Sequence, residues 1–200
     1  MKGAIVLNSH TTIAEIEEKY IIAADRGYEE VLAQGKKPNI VIGDFDSSIE
    51  PSDIDVVKLQ IEKDDTDSQA AIDYAYNYGI NEVVIYGALG GRADHELCNF
   101  SLLAQAHNLN MKAKIKEPDV EIFYYETGKV SFDINKGATF SILAFGGDLL
   151  MSNGENTKYP INNLFVTKYE LGRSVSNIAL DSHVSFVILK GSALLFIYNK

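Results

Sequence analysis

Five short strand-like runs, at residues 4–7, 20–24, 39–42, 56–60 and 82–86, each end in a polar or glycine-bearing cluster, and this repetition limits what the chain can fold into. Runs of that length with turn residues behind them read as buried strands. Helical patterns separate them. Thr11 or Thr12 caps a short helix containing Ile13 and Ile16, and Tyr28, Val31 and Leu32 lie on a helix ending near Gly35. Thr66 with Gln69 has the capping-box spacing, ahead of an apolar stripe of Ala70, Ala71, Tyr74, Ala75 and Tyr78. A further helix spans about 95–108, with Leu97, Phe100, Leu103, Ala104 and His107 on one broad face. Strand, loop and helix in alternation predict an α/β N-terminal domain of three layers, with helices on both sides of a mainly parallel sheet.

The pattern changes after the strand at 111–115, where Glu117-Pro118-Asp119 breaks the run. Beyond it lie closely spaced strands at 121–126, 129–134, 139–145, 164–168, 184–190 and 194–198, with hairpin turns expected at Thr127-Gly128 and Gly191-Ser192. This region reads as an all-β sandwich. The expected domains are therefore 1–117 and 118–200.

At 200 residues the chain is long enough for a substantial core. A formal net charge of −10 argues against a nucleic-acid surface or binding to an acidic membrane. Cys98 is the single cysteine, so no internal disulfide and no cysteine-rich zinc site can form. Its neighbours Leu97 and Phe100 suggest a buried structural place. There is no long apolar segment, and Met1-Lys2-Gly3 runs straight into a strand without a secretory start, so a cytoplasmic protein is expected.

Three acidic clusters follow strands in this scheme: Gly43-Asp44-Phe45-Asp46-Ser47, Asp64-Asp65-Thr66-Asp67 and Gly90-Gly91-Arg92-Ala93-Asp94-His95. If the chain stays extended across Asp44 and Asp46, their carboxylates share one side about 6 to 7 Å apart and repel unless a cation lies between them. A self-capping polar turn accounts for that pentapeptide equally well. Asp67 sits in a first helical turn, a favourable place for any acid, and Asp94 has the same ordinary reading as a helix cap. Gly90 and Gly91 allow close backbone approach to a ligand, and Arg92 offers a planar fork suited to phosphate. Loops leaving the carboxyl ends of parallel strands converge on one crevice. Carboxylates and an arginine gathered there describe a site for magnesium and a polyphosphate. Neither a dinucleotide-binding glycine fingerprint nor a Walker A loop is present.

The ordered set of Ala24-Asp25-Arg26-Gly27, Pro38 with Gly43-Asp44-Phe45-Asp46-Ser47, Asp64 with Thr66-Asp67, Gly87 with Gly90-Gly91-Arg92 and Asp94-His95, and Ser174-Val175-Ser176-Asn177 resembles the bacterial thiamine pyrophosphokinase family. The likeness spans about residues 25–177. It implies transfer of a diphosphoryl group from ATP to thiamine, with Mg2+ held by Asp44, Asp46 and Asp67 and with Asp46, Asp67, Arg92 and Asp94 at the reacting groups. It further implies that Asp25, Arg26, Asp44, Ser47, Asp64, Thr66, Arg92 and His95 face the nucleotide. Ser174, Ser176 and Asn177 would lie toward thiamine, in a homodimer whose β domain meets the partner's α/β domain. The sequence departs from the family pattern at Asn156-Thr157-Lys158-Tyr159-Pro160, where a glycine commonly precedes Lys-Tyr-Pro, and at Ile178, where an acid often follows Ser-Asn. Two other functions fit the same residues: a magnesium-dependent diphosphokinase for another heterocyclic alcohol, and a noncatalytic nucleotide sensor.

Overall fold

The computed structural model describes residues 1–45, 54–59 and 66–198, which group into two compact units, Met1–Pro118 and Asp119–Lys200. In the first unit the chain runs β1 (Lys2–Val6), β2 (Ile21–Ala24), α1 (Gly27–Ala33), β3 (Ile40–Gly43), β4 (Asp55–Lys58), α2 (Asp67–Asn77), β5 (Glu82–Tyr86), α3 (Ala93–Asn108) and β6 (Lys112–Lys116). The strands pair in parallel in the order β4-β3-β2-β1-β5-β6. Every residue of β2 and β3 is buried, as expected of strands covered on both faces.

Alternation along each strand divides the covering layers. Ala4, Val6, Ala23, Val84 and Tyr86 form one core with Val31 of α1 and with Ile13, Ala14 and Ile16. Ile5, Ile22 and Ile85 turn to the other face, where α2 and α3 bury Ala71, Ile72 and Ala75 and Leu102, Leu103 and Ala106. The first unit thus has the three-layer α/β arrangement expected from its sequence.

The expected short helix at 11–16 is not formed, and the hydrogen bonds show why. Gln34 Oε1 accepts from Ile16 N at 3.0 Å and Gln34 Nε2 donates to Ala14 O at 3.0 Å, so a distant side chain satisfies backbone groups that a helix would otherwise pair. The segment buries its apolar residues as an irregular strap.

Beside the strap, the Tyr86 hydroxyl donates to Glu18 Oε2 at 2.7 Å, and Lys2 Nζ lies 3.0 Å from Glu18 Oε1. Glu18 is an almost fully buried acid, so losing a partner leaves a desolvated carboxylate short of a donor. Tyr86→Phe is expected to cost about 1.5–3 kcal/mol, the range for a hydrogen bond to a charged group. Burial first, then the bond to Glu18, raises the Tyr86 phenol above its ordinary pKa. The neutral phenol therefore stabilises the fold fully below its unfolded value, near pH 10, and this contribution is lost as pH rises toward the folded value. Unfolding curves of both proteins should show a constant gap at lower pH that narrows above about pH 10; a gap that widens there would contradict the assignment.

Two helix expectations need revision and one is met. Thr66 caps α2 with Gln69 in a reciprocal capping box. On α3 the buried stripe is Asn99, Leu102, Leu103 and Ala106, whereas Leu97 is 67% exposed and Cys98 is exposed rather than buried. Asn99 sets this phase: its Nδ2 donates to Ala88 O at 2.9 Å, turning the helix about one residue from the phase that Leu97 and Phe100 suggest. The cap position of α3 belongs to Arg92, and Asp94 lies within the first turn.

In the second unit β7 (Val120–Tyr125), β8 (Gly128–Asp133), β9 (Thr139–Ala144), β10 (Leu149–Glu155), β11 (Leu164–Val166), β12 (Asn177–Ile178), β13 (His183–Lys190) and β14 (Ala193–Tyr198) form two antiparallel sets, β12-β9-β14-β7 and β11-β10-β13-β8. Phe140, Ile142 and Leu195 of one set pack on Phe132, Met151 and Phe186 of the other, which makes the unit a β-sandwich. Phe132 and Phe140 meet edge to face at 5.4 Å. Strands β10 and β12 escape the sequence pattern. In β10 the Ser152-Asn153-Gly154 stretch forms a bulge, with a register shift between Ser152 and Glu155 and Asn153 at φ +55°. Among the described residues no helix is long and apolar enough to cross a membrane.

Candidate active site

Strand order in the first unit reverses between β1 and β5, the place where open α/β sheets form a ligand crevice. A cavity of about 380 Å3 opens there. Asp25 and Arg26 reach it from the exit of β2, and Thr66 and Asp67 from the start of α2. Arg92 and His95 reach it from the β5–α3 loop and the first turn of α3.

Local chemistry fixes each of these positions. Asp25 adopts φ +46°, a left-handed backbone that aspartate tolerates, and its N–H donates to Ile42 O at 2.8 Å, stitching the β2 exit to β3. At Gly43 an added Cβ would stand 3.3 Å from Asp25 Cα and 3.8 Å from Asp67 Oδ2. Glycine there keeps open the space between the two aspartate-bearing segments. Thr66 Oγ1 accepts from Gln69 N at 3.3 Å and Gln69 Oε1 accepts from Thr66 N at 2.9 Å, so the first turn that carries Asp67 is locked.

Both arginines have their forks engaged by a nearby acid. Arg92 donates to Asp94 through Nε at 3.1 Å and Nη2 at 2.6 Å; Arg26 donates to Glu29 through Nε and Nη2, both at 3.1 Å. Arg92 holds the Asp94 carboxyl below its usual range, and Asp94 raises the guanidinium in turn. Ion pairs this exposed are screened by solvent and contribute little, so a phosphate can displace the acid.

Several expectations change at this level. Phe45 has φ +56°, so the backbone is not extended at the residue after Asp44. Asp46, Ser47 and Asp64 lie outside the described residues. Asp44 follows Gly43 at the exit of β3, and neither it nor Asp94 lines the cavity. A Cβ on Gly90 would meet Thr11 Oγ1 at 2.2 Å, so the close approach that requires glycine there is to the chain's own β1 exit.

Among the described residues no three His, Cys, Asp or Glu side chains converge as a metal cluster. The donor chemistry nevertheless suits Mg2+, which takes one or two carboxylates and completes its shell with water and substrate phosphates. Asp67, facing the space kept open by Gly43, is a carboxylate that would suit this role.

A separate cavity of about 380 Å3 lies in the second unit, lined by Ser174, Ser176 and Asn177 together with Tyr159, Ile161 and Arg173. The Ser174 hydroxyl donates to Ile142 O, and Ser176, at φ +58°, donates its N–H to Ser141 Oγ at 2.9 Å. Asn177 grips the backbone of Tyr159: its Oδ1 accepts from Tyr159 N at 3.0 Å and its Nδ2 donates to Tyr159 O at 2.8 Å. Its amide is engaged in placing a neighbouring wall of the cavity.

The family profile described as the thiamin pyrophosphokinase catalytic domain matches residues 14–115. Thiamine pyrophosphokinase of Bacillus subtilis (strain 168) is 31% identical over 180 residues, covering 85% of this chain and 83% of that one. The chain belongs to the thiamine pyrophosphokinase family. It is accordingly an enzyme of that type. The crystal structure of thiamine pyrophosphokinase from Bacillus subtilis superposes with a TM-score of 0.87 at 25% identity over the whole of both chains. That of thiamin pyrophosphokinase from Geobacillus thermodenitrificans gives 0.83 at 22% identity over 100% of this chain and 98% of that one, a likeness of fold.

Within this family frame, the cavity also has walls that the sequence left without an assigned role. Asn8 and His10 line it from the exit of β1, although His10 by itself reads as an ordinary loop residue. Glu96 Oε1 accepts from Gly90 N at 2.7 Å and Gly91 N at 3.0 Å, and Asn99 holds Ala88. The available signal was their spacing of three on α3, which puts both on the side facing back toward the loop.

Proposed function

We propose that the chain transfers the diphosphoryl group of ATP to the hydroxyl of thiamine, giving thiamine diphosphate and AMP. The observation that carries this reading is the meeting of Asp25, Arg26, Asp67, Arg92 and His95 in one cavity at the switch point of the sheet. The thiamine hydroxyl oxygen attacks the β-phosphorus of ATP, the bond from that phosphorus to the α,β-bridging oxygen breaks, and AMP leaves with the bridging oxygen. Such transfer asks the protein mainly for alignment and for neutralisation of oxygen charge. Arg92 clamps the phosphates. Asp25, Arg26, Asp44, Ser47, Asp64, Thr66 and His95 make up the rest of the nucleotide side. Asp67, with Asp44 and Asp46, would hold Mg2+, which when bound neutralises charge on the polyphosphate oxygens.

The hydroxyl proton passes to an aspartate. Asp46 and Asp94 are the two candidates, and Asp94 is paired with Arg92 until a phosphate takes that fork.

In the same reading, Met1–Pro118 is the nucleotide-binding unit and Asp119–Lys200 serves thiamine binding and dimer formation, with Ser174, Ser176 and Asn177 at the thiamine side. The second unit leaves Phe165, Tyr169, Leu171, Val175, Leu180 and Leu189 exposed, apolar surface that supports a homodimer. The enzyme works in the cytoplasm, where its ATP is made.

Incubation with ATP, Mg2+ and a panel of heterocyclic alcohols, followed by separation of nucleotides and products, tests the proposal. AMP formed in step with thiamine diphosphate is the expected result. Preference for another alcohol, release of ADP, or binding without turnover would each replace it. Arg92→Lys keeps the charge and loses the two-pronged fork, so product formation should fall about tenfold or more while ATP still binds. A single-turnover rate equal to that of the unaltered chain would remove Arg92 from the phosphate site.

A further inference from the structure

We infer that Glu117 is a positioning residue for diphosphoryl transfer, acting through the loop that delivers Arg92; this rests on the reaction proposed above. Glu117 directly follows β6, just past the 14–115 segment that matches the family profile. Only 6% of it is exposed, and a buried carboxylate is costly unless it is hydrogen-bonded. Its Oε1 accepts from Ala88 N at 2.8 Å and Leu89 N at 3.2 Å, two consecutive N–H groups at the start of the β5–α3 loop. Consecutive N–H groups of this kind form a nest for an anionic oxygen, and here the anion is the protein's own side chain.

The rest of the loop is tied down from other directions. Ser9 Oγ donates to Leu89 O at 2.7 Å, His10 N donates to Gly90 O at 3.0 Å, and Glu96 takes the N–H groups of Gly90 and Gly91. Glu117 fixes the end nearest β5, and Arg92 follows three residues after Leu89. Its side chain is 70% exposed, so packing does little to set its position, which depends on the backbone beneath it and on the pair with Asp94. Misplacing a phosphate-clamping group by about 1 Å can cost on the order of a hundredfold in rate.

Two substitutions separate this role from others. Glu117→Gln keeps the length and an acceptor oxygen while removing the charge. Glu117→Asp keeps the charge and withdraws the acceptor by one methylene. The expected result is a Gln variant near the original kcat and an Asp variant lowered about tenfold at saturating substrates, with the KM for thiamine little changed. In an Arg92→Ala background Glu117→Asp should cost nothing further, because the group it positions is gone.

The opposite order, Asp active and Gln inactive, would assign Glu117 a role of charge and overturn the inference. So would full kcat in both variants, or an equal loss with and without Arg92. If the Asp variant does not fold, amide hydrogen exchange in the Gln and Glu117→Ala variants decides: protection of Ala88 and Leu89 kept in Gln and lost in Ala supports the bracing, and equal protection in both overturns it. If the unaltered chain makes no thiamine diphosphate, the reaction assignment fails, and exchange at the same two amides still reports whether Glu117 braces the loop.

Discussion

Asp67→Asn is expected to lower turnover by about a hundredfold or more, the scale seen when stabilisation of developing phosphate charge is lost, here by weakening the hold on the Mg2+ that would supply it. The same change should leave the fold nearly intact. Asp67 is the first residue of α2, and the capping box that sets this terminus is made by Thr66 and Gln69, neither of which is altered. What the helix loses is one acid in its first turn, worth about 0.3–1 kcal/mol. For a chain of this size that is a fall in Tm of roughly 2–4 °C at most. The disparity is the useful quantity: a residue that only stabilises the helix changes Tm and leaves kcat alone. Steady-state AMP release and thermal unfolding on the same preparation measure both. A folded Asn variant with near-original turnover would show that the carboxylate does no work on phosphate or metal and would leave Asp67 as an ordinary helix-start acid.

What was legible in the sequence follows the range of the interactions involved. The capping box is local: Thr66 and Gln69 lie three residues apart, and the spacing alone predicts their bonds. Strand exits carrying Asp25, Asp67 or Arg92 are legible because short apolar runs ending in polar clusters leave few alternatives in a parallel sheet. The strap at 11–16 departs from the expected helix because Gln34, far along the chain, satisfies its backbone. The phase of α3 was misread because a buried asparagine bonded to Ala88 set it, where the spacing of Leu97 and Phe100 suggested a different face. Glu117 left no mark of its own: before Pro118 it looks like a charged strand end, and its partners stand 28 and 29 residues earlier. In each case the unreadable part is a polar side chain satisfying distant backbone, a bond with no periodicity to betray it.

Mixing two inactive chains should restore activity if thiamine is held by the second unit of one subunit against the nucleotide site of its partner. Asp67→Asn removes a carboxylate from the first cavity. Asn177→Ala releases the clamp on Tyr159 in the second, and with it a wall of the proposed thiamine pocket. In a two-fold dimer with shared sites, a mixed pair has one site carrying both lesions and one carrying neither. Equal mixing with free exchange makes about half of the dimers mixed, so about a quarter of the original activity should return. If each site is built from a single chain, every site in the mixture keeps one lesion and the activity stays at the level of the separate variants. Exchange is established first, by following differently tagged chains into one dimer, and each variant must be folded and nearly inactive alone. Under those conditions an absence of recovery rejects the shared site, and a chain that sediments as a monomer at full turnover rejects the dimer with it.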